Sequence, residues 1–393
     1  MAMIAGLAIG VLLLEGVLRL AGFTPNYIAA DPTIGYRFFP HARYRWIAEG
    51  RSSGRINGDG WRDVEHAMPK PAGTTRILML GDSFTAAFQV PLDSTFHRRL
   101  ERGLNARAPA GRRYEVIAMG EDGNGTTTEY LTYRAWGARY DPDVVAVLFI
   151  LNDAADNWQP VALDQARPFF VADGDSLRLD RSFADTPGYR KYERWRWIKA
   201  HSVLWGLAHR ALGVWQNRAH APATGTAAAT AAHEPALPTT PAADGYYRDW
   251  NFDARIPADS IPAFRLTAQI LGRFAGDVRR DGRRFVVFAA GFAFQEDRRL
   301  LAESRRDPNF DPEKTTRWLA SVGARYGFEV VPLSPAFRAA SIALDRPLWF
   351  GAYGRYGHWN ATGHAVAARA MEDYFAHAAD STRSAAGVPG RTP

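Results

Sequence analysis

Four short stretches of the chain hold side chains that could do chemistry together. They are GDSFT (Gly81 to Thr85), GEDGNGT (Gly120 to Thr126), LNDAADN with Asn152 at its head, and, much later, GHWNATGH (Gly357 to His364). A serine hydroxyl is a poor nucleophile until a neighbouring base takes its proton, and a histidine with an ordinary pKa near 6.5 suits that task at neutral pH. Ser83 and His358 are therefore a candidate nucleophile and general base. Acyl transfer also needs donors aimed at the oxygen that becomes negative in the tetrahedral intermediate. The glycines of 120–126 allow backbone N–H groups to approach a ligand, and Asn152 offers a side-chain amide. Each residue has an ordinary alternative. Serine is a common helix cap, the carboxylates Asp82, Asp153 and Asp156 read as loop caps that satisfy backbone N–H groups, and His364 reads as packing on the last helix.

Other chemistries are excluded by what the sequence lacks. Cysteine is absent, which removes thiol nucleophiles, thiolate metal sites and a lipid-modified cysteine anchor. No P-loop, HExxH or GxSxG pattern occurs. The run Gly120 to Gly125 is not a dinucleotide loop, because it follows the second strand and Thr128 stands where the third glycine would be. Asn124 and Asn360 match glycosylation sequons, but a glycan in these loops would obstruct them.

The elements around these stretches alternate. The apolar run Thr75 to Gly81 ends in a Gly-Asp-Ser turn, as a buried parallel strand should. Leu92, Phe96, Leu100 and Leu104 then recur at helical spacing up to Asn105. The strand YEVIAM, a helix through Tyr130 and Trp136, and the strand VVAVLFIL continue the pattern. After a less regular middle, RRFVVFAAG and FEVVPLS read as strands separated by a helix over 312–326, and a last helix spans 362–379. This alternation predicts an α/β fold with a doubly wound parallel sheet, which places ligand sites beyond the carboxyl ends of the strands. Ser83, the glycine run and Asn152 all follow such strand ends.

The ends and the middle of the chain differ in texture. Residues 1–23 are apolar except for Glu15 and Arg19, which sit one helical turn apart and could pair on one face. As a helix rising about 1.5 Å per residue, the segment is long enough to cross a bilayer. With no positive region before it, it reads as an uncleaved anchor. Residues 24–72, rich in aromatics, Gly and Arg, read as an irregular connector, and the domain proper as 73–379 with an insertion over 159–262. Within that insertion Leu204, Leu207, Ala208, Ala211 and Trp215 form an apolar stripe flanked by Arg194, Arg196, Lys199 and Arg210, which suits a helix packed on the domain or one lying on a membrane surface. Residues 219–244, Ala, Thr and Pro, read as a flexible loop, and 380–393 as a disordered tail. The net charge of +7 comes mostly from scattered arginines, so a nucleic-acid partner is not indicated.

With GDSF, Gly123, LND and GHWNATGH in this order, the chain resembles the SGNH, or GDSL-like, hydrolases over about Thr75 to Ala379. The resemblance implies a three-layer flavodoxin-like fold with a central sheet of about five parallel strands. It implies that Ser83 attacks an ester carbonyl, that His358 is its base, and that the Ser83 and Gly123 N–H groups and the Asn152 amide form the oxyanion hole. No metal or organic cofactor is implied. Small acyl esters, above all acetylated carbohydrate of the cell envelope, are the implied substrates. Hydrolysis, transfer to a polysaccharide hydroxyl and non-catalytic carbohydrate binding all remain open, with a lipid esterase as a third class that the anchor and the aromatic-basic helix suggest. The resemblance implies a domain outside the cytoplasm, whereas the arginines after the anchor favour the opposite orientation by the positive-inside rule. In one respect the sequence departs from the family, which places an Asp two or three residues before the catalytic His. Here those positions are Tyr356 and Arg355, so the chain works as a Ser-His dyad with His358 oriented by a backbone carbonyl, borrows an acid from elsewhere, or is impaired; Asp345 is the nearest upstream carboxylate that could orient His358.

Overall fold

The structure, a computed structural model, describes residues 1–162, 164–174, 176–208, 211, 249–344, 346–351 and 357–386. Its frame is a parallel sheet of β5 (Thr74–Gly81), β6 (Arg113–Gly120), β7 (Val144–Ile150), β10 (Arg284–Ala290) and β11 (Glu329–Pro332). The strands lie in the order β6-β5-β7-β10-β11. Numbered along the chain that is 2-1-3-4-5, the flavodoxin-like arrangement, whose switch point falls between the first and third strands. The insertion between β7 and β10 adds an antiparallel pair, β8 (Phe169–Asp173) with β9 (Ser176–Asp180), and the helices α6 (Pro187–Arg194) and α7 (Arg196–His201).

Alternation along each strand feeds two cores. Leu78 and Leu80 of β5, with Val145, Val147 and Phe149 of β7, face one side. There they pack on α4 (Thr126–Ala135), α8 (Pro262–Arg280) and α9 (Lys314–Tyr326), chiefly through Tyr130, Phe264, Phe274 and Trp318. Ile77 and Met79, with Ala146, Leu148 and Ile150, face the other side. That side is covered by α3 (Phe96–Ala106), α10 (Ser334–Ala343) and α11 (Ala361–Ala386), through Phe96, Leu100, Phe337 and Met371. A two-residue period with both faces buried is what a central parallel strand requires, and it explains the continuous apolar runs in the sequence. The last helix overruns its expected end at Ala379 and continues to Ala386, whereas the loop expected over 219–244 and Asp345 lie outside the described residues.

The segment 24–72 is not irregular. It folds as two antiparallel pairs, β1 (Ile28–Asp31) with β2 (Gly35–Phe38) and β3 (Arg43–Trp46) with β4 (Ser52–Arg55). Tyr44 and Trp46 alternate with exposed Arg43 and Arg45, and the buried rings join Ile28, Phe38, Ile56 and Phe88 in a small separate core. Arg62, fully buried, fastens this core to the turn after β5. Its guanidinium donates to the carbonyls of Ala86 (2.9 Å), Ala87 (2.8 Å) and Val90 (2.6 Å) and to the Tyr44 hydroxyl (2.8 Å). A buried cation is tolerated because several acceptors replace its water.

Helix α1 (Ala2–Leu20) has a mean hydropathy of 2.0 and no buried residue, and it is long and apolar enough to cross a membrane. Its two charges have work to do. Arg19 pairs with Glu15 at 2.8 Å, and the Glu15 carboxylate accepts from the N–H groups of Val203 (2.9 Å) and Leu204 (3.0 Å). Glu15 thus caps the helix over 203–208, and Arg19 donates to the carbonyl of His201 at 2.7 Å. An anion at a helix N-terminus is stabilised by the orphan N–H groups there, so the apolar helix is joined firmly to the insertion.

Candidate active site

Ser83 follows β5 as the first residue of the short helix α2 (Ser83–Ala86), and Asp82 caps it by accepting from the Phe84 N–H at 2.9 Å. Asn152 follows β7, at the head of α5 (Asp153–Asp156), and Gly123 follows β6. Register explains why these loops meet. Gly81 pairs with Gly120 on one side and with Leu148 on the other, so β5 and β6 end at one level, β7 runs two residues further to Ile150, and the three loops leave the same edge of the sheet side by side. Adjacent strands are about 4.8 Å apart, which puts groups from neighbouring loops within reach of one small ligand.

His358 comes from beyond the sheet, just ahead of α11, and reaches the serine. Its Nε2 lies 2.8 Å from the Ser83 Oγ. A bridge between Trp349 and Trp359 and a hydrogen bond from the Phe350 N–H to the His358 carbonyl (2.8 Å) hold the histidine backbone. Phe84 packs against the imidazole with ring centroids 4.8 Å apart.

On the other side of the ring stands a carboxylate. Glu49 Oε2 lies 2.5 Å from His358 Nδ1, and Glu49 Oε1 accepts from the His358 backbone N–H at 3.2 Å. Glu49 is buried, 1% exposed, and follows β3 in the segment read from sequence as a connector. Asp345 was the expected candidate; it lies outside the described residues, and the Nδ1 position is held by Glu49. The turn that delivers Glu49 depends on Gly50, whose φ of +65° suits glycine. A Cβ there would come within 2.2 Å of the Gln89 carbonyl oxygen. The only local trace of Glu49 in the sequence is the four-residue alternation RYRW with Glu-Gly two residues beyond it, which marks a short strand and a turn but not a partner for His358.

The relay Ser83, His358, Glu49 has the geometry of a nucleophile, a base and an orienting acid. An Nδ1–H donated to a buried carboxylate leaves Nε2 as the acceptor that faces the hydroxyl. Asn152 is also at the site: its Nδ2 donates to Asp156 at 2.9 Å and makes a long contact of 3.4 Å to Asp82. His364, by contrast, is packing. It is buried, stacks on Phe96 and accepts the Phe96 N–H at Nδ1, 3.3 Å away.

Beneath the site lies a group of buried carboxyls. Burial pushes Asp82 up to about 6 and Asp156 up to about 7. Glu129 and Asp153 are driven well above the usual carboxylate range, first by burial and then by neighbouring negative charge. At these four groups the folded protein holds protons that the unfolded chain has released above about pH 4, so their contribution to stability falls as pH rises toward about 7. Each such group contributes a slope of about 1.4 kcal/mol per pH unit within its window. Asp156→Asn should flatten the fall in unfolding free energy between about pH 5 and about pH 7 by about that amount, as read from urea denaturation in detergent. A variant curve parallel to the wild-type curve would show that Asp156 is ionised throughout.

No protein-family model matches the chain, and no curated protein matches it. Among solved structures, the acetyl xylan esterase AlAXEase is similar at 13% identity, over 76% of this chain and 98% of that one, with a TM-score of 0.38. A catalytic mutant of the acetylxylan esterase Axe2 from Geobacillus stearothermophilus is similar at 10% identity, over 76% and 92%, with a TM-score of 0.38. TesA is similar at 12% identity, over 76% and 96%, with a TM-score of 0.37.

Proposed function

We propose that this protein is a serine esterase of the SGNH type that cleaves small acyl esters through an acyl-Ser83 intermediate. The observation that carries the reading is the relay of 2.8 Å from Ser83 Oγ to His358 Nε2 and 2.5 Å from His358 Nδ1 to Glu49. In this mechanism His358 takes the Ser83 proton as Oγ attacks the ester carbonyl carbon. The Glu49 carboxylate stabilises the imidazolium that forms. The Ser83 and Gly123 N–H groups and the Asn152 amide receive the oxyanion. Collapse expels the alcohol, which takes its proton from His358, and water then attacks the acyl-serine by the same route in reverse.

Acetylated envelope carbohydrate is the substrate class we assign, on the motif resemblance. Helix α1 would hold the domain at the membrane with its site outside the cytoplasm. A sugar hydroxyl in place of water would turn the same intermediate to O-acyl transfer. The Glu49 carboxylate at His358 supports catalysis over a non-catalytic carbohydrate-binding role.

Covalent labelling by a fluorophosphonate probe tests the reading directly. The full chain in detergent should be labelled at Ser83; folded protein that stays unlabelled and does not turn over 4-nitrophenyl acetate would overturn it. Asn152→Ala should lower kcat on that ester about a hundred- to a thousand-fold, the cost of one oxyanion donor. A kcat within a few-fold of wild type would remove Asn152 from the oxyanion hole.

A further inference from the structure

We infer that Tyr36 and Arg167 are positioning residues that aim the Gly123 N–H into the oxyanion hole. The inference rests on the esterase reading and adds to it a device that lies outside the three loops after the sheet strands. Gly123 sits in the loop after β6 with φ +65°, a left-handed conformation that glycine adopts without strain. The loop is a turn closed by the Asn124 N–H on the Glu121 carbonyl at 3.3 Å, with Asp122 and Gly123 at its corners. Within that turn the direction of the Gly123 N–H is held further by whatever grips the carbonyls of those two residues.

Two side chains hold them. The Tyr36 hydroxyl donates to the carbonyl of Asp122, and the Arg167 Nη1 donates to the carbonyl of Gly123. Arg167 also links the two contacts, with Nη2 at 3.3 Å from the Tyr36 hydroxyl and at 3.0 Å from Asp164. The Asp122 carbonyl and the Gly123 N–H belong to one peptide unit. That unit is planar and trans, so its C=O and N–H point in opposite directions. Fixing the oxygen toward Tyr36 therefore fixes the hydrogen to the opposite side. The second bond, from Arg167, holds the following peptide unit and resists rotation about Gly123.

Arg167 is suited to this because it is buried, 3% exposed, and its planar fork meets carbonyl, hydroxyl and carboxylate together. Aligned in advance, the N–H meets the developing charge without reorganisation, which is where oxyanion holes draw their effect. Tyr36 lies on β2 and Arg167 in the insertion. The aim of one N–H in the loop after β6 is thus set by two segments distant in sequence.

Tyr36→Phe removes only the hydroxyl and keeps the ring. It should lower kcat on 4-nitrophenyl acetate about ten- to a hundred-fold, part of the cost of losing one donor outright. KM, the pH midpoint of kcat/KM and the thermal midpoint should stay near wild type, because binding, the His358 base and the fold are untouched. Arg167→Lys should show the same split and replaces the first variant as the readout if Tyr36→Phe does not fold. A folded variant with kcat within twofold of wild type overturns the inference and leaves the esterase reading standing. So does a loss that appears in KM or in the pH midpoint. Wild-type protein that neither labels at Ser83 nor turns over ester removes both.

Discussion

Glu49→Gln should lower kcat about ten-thousand-fold while leaving the protein folded. Glutamine has the shape of glutamate, so the buried turn before Gly50 keeps its packing. The chemistry changes because an amide can offer N–H where the carboxylate only accepted. Facing a donor, the His358 Nδ1 becomes the acceptor and the ring proton moves to Nε2, which then points an N–H at Ser83 and cannot take its proton. A carboxylate also stabilises the imidazolium, and the amide does not. Steady-state kinetics on an activated acetyl ester, with thermal melts alongside, decide the matter. Turnover within tenfold of wild type would mean that another group orients His358.

Ser83→Ala should abolish acyl-enzyme formation and lower kcat about a million-fold, to the residual rate given by binding and the oxyanion donors. Fluorophosphonate labelling should vanish with it. In the double variant with Glu49→Gln the losses should not add, because the base and its acid act only through the serine they activate. Additive losses would indicate that Glu49 acts elsewhere. Near wild-type turnover in Ser83→Ala would discard the nucleophile.

The central sheet was legible in the sequence because both of its faces are buried. TRILMLG and VVAVLFIL could be little else, and the turns after them placed Ser83 and Asn152 at strand ends. The helix over 314–326 starts two residues after its expected start, and the helix over 96–106 starts four residues late because Leu92–Ser94 form a separate 3-10 turn; both keep their apolar stripes on the sheet. Glu49 was not legible as a partner of His358. The two are 309 residues apart, and nothing local to the histidine points to the turn after β3. The segment 24–72 misled for a related reason. Its strands are four residues each and pair only with one another, so alternation had little length in which to show. Glu15 and Arg19 were expected to pair, and they do at 2.8 Å. That Glu15 would also cap the helix over 203–208 depends on a tertiary contact that no local pattern encodes.

The bracketing of the serine by its helpers has a consequence for biosynthesis. The ribosome makes the carboxylate of Glu49 first, the hydroxyl of Ser83 next and the imidazole of His358 last. On the esterase reading, the nascent polypeptide carries an unarmed hydroxyl until the imidazole, 275 residues further on, has been added and has folded back onto it.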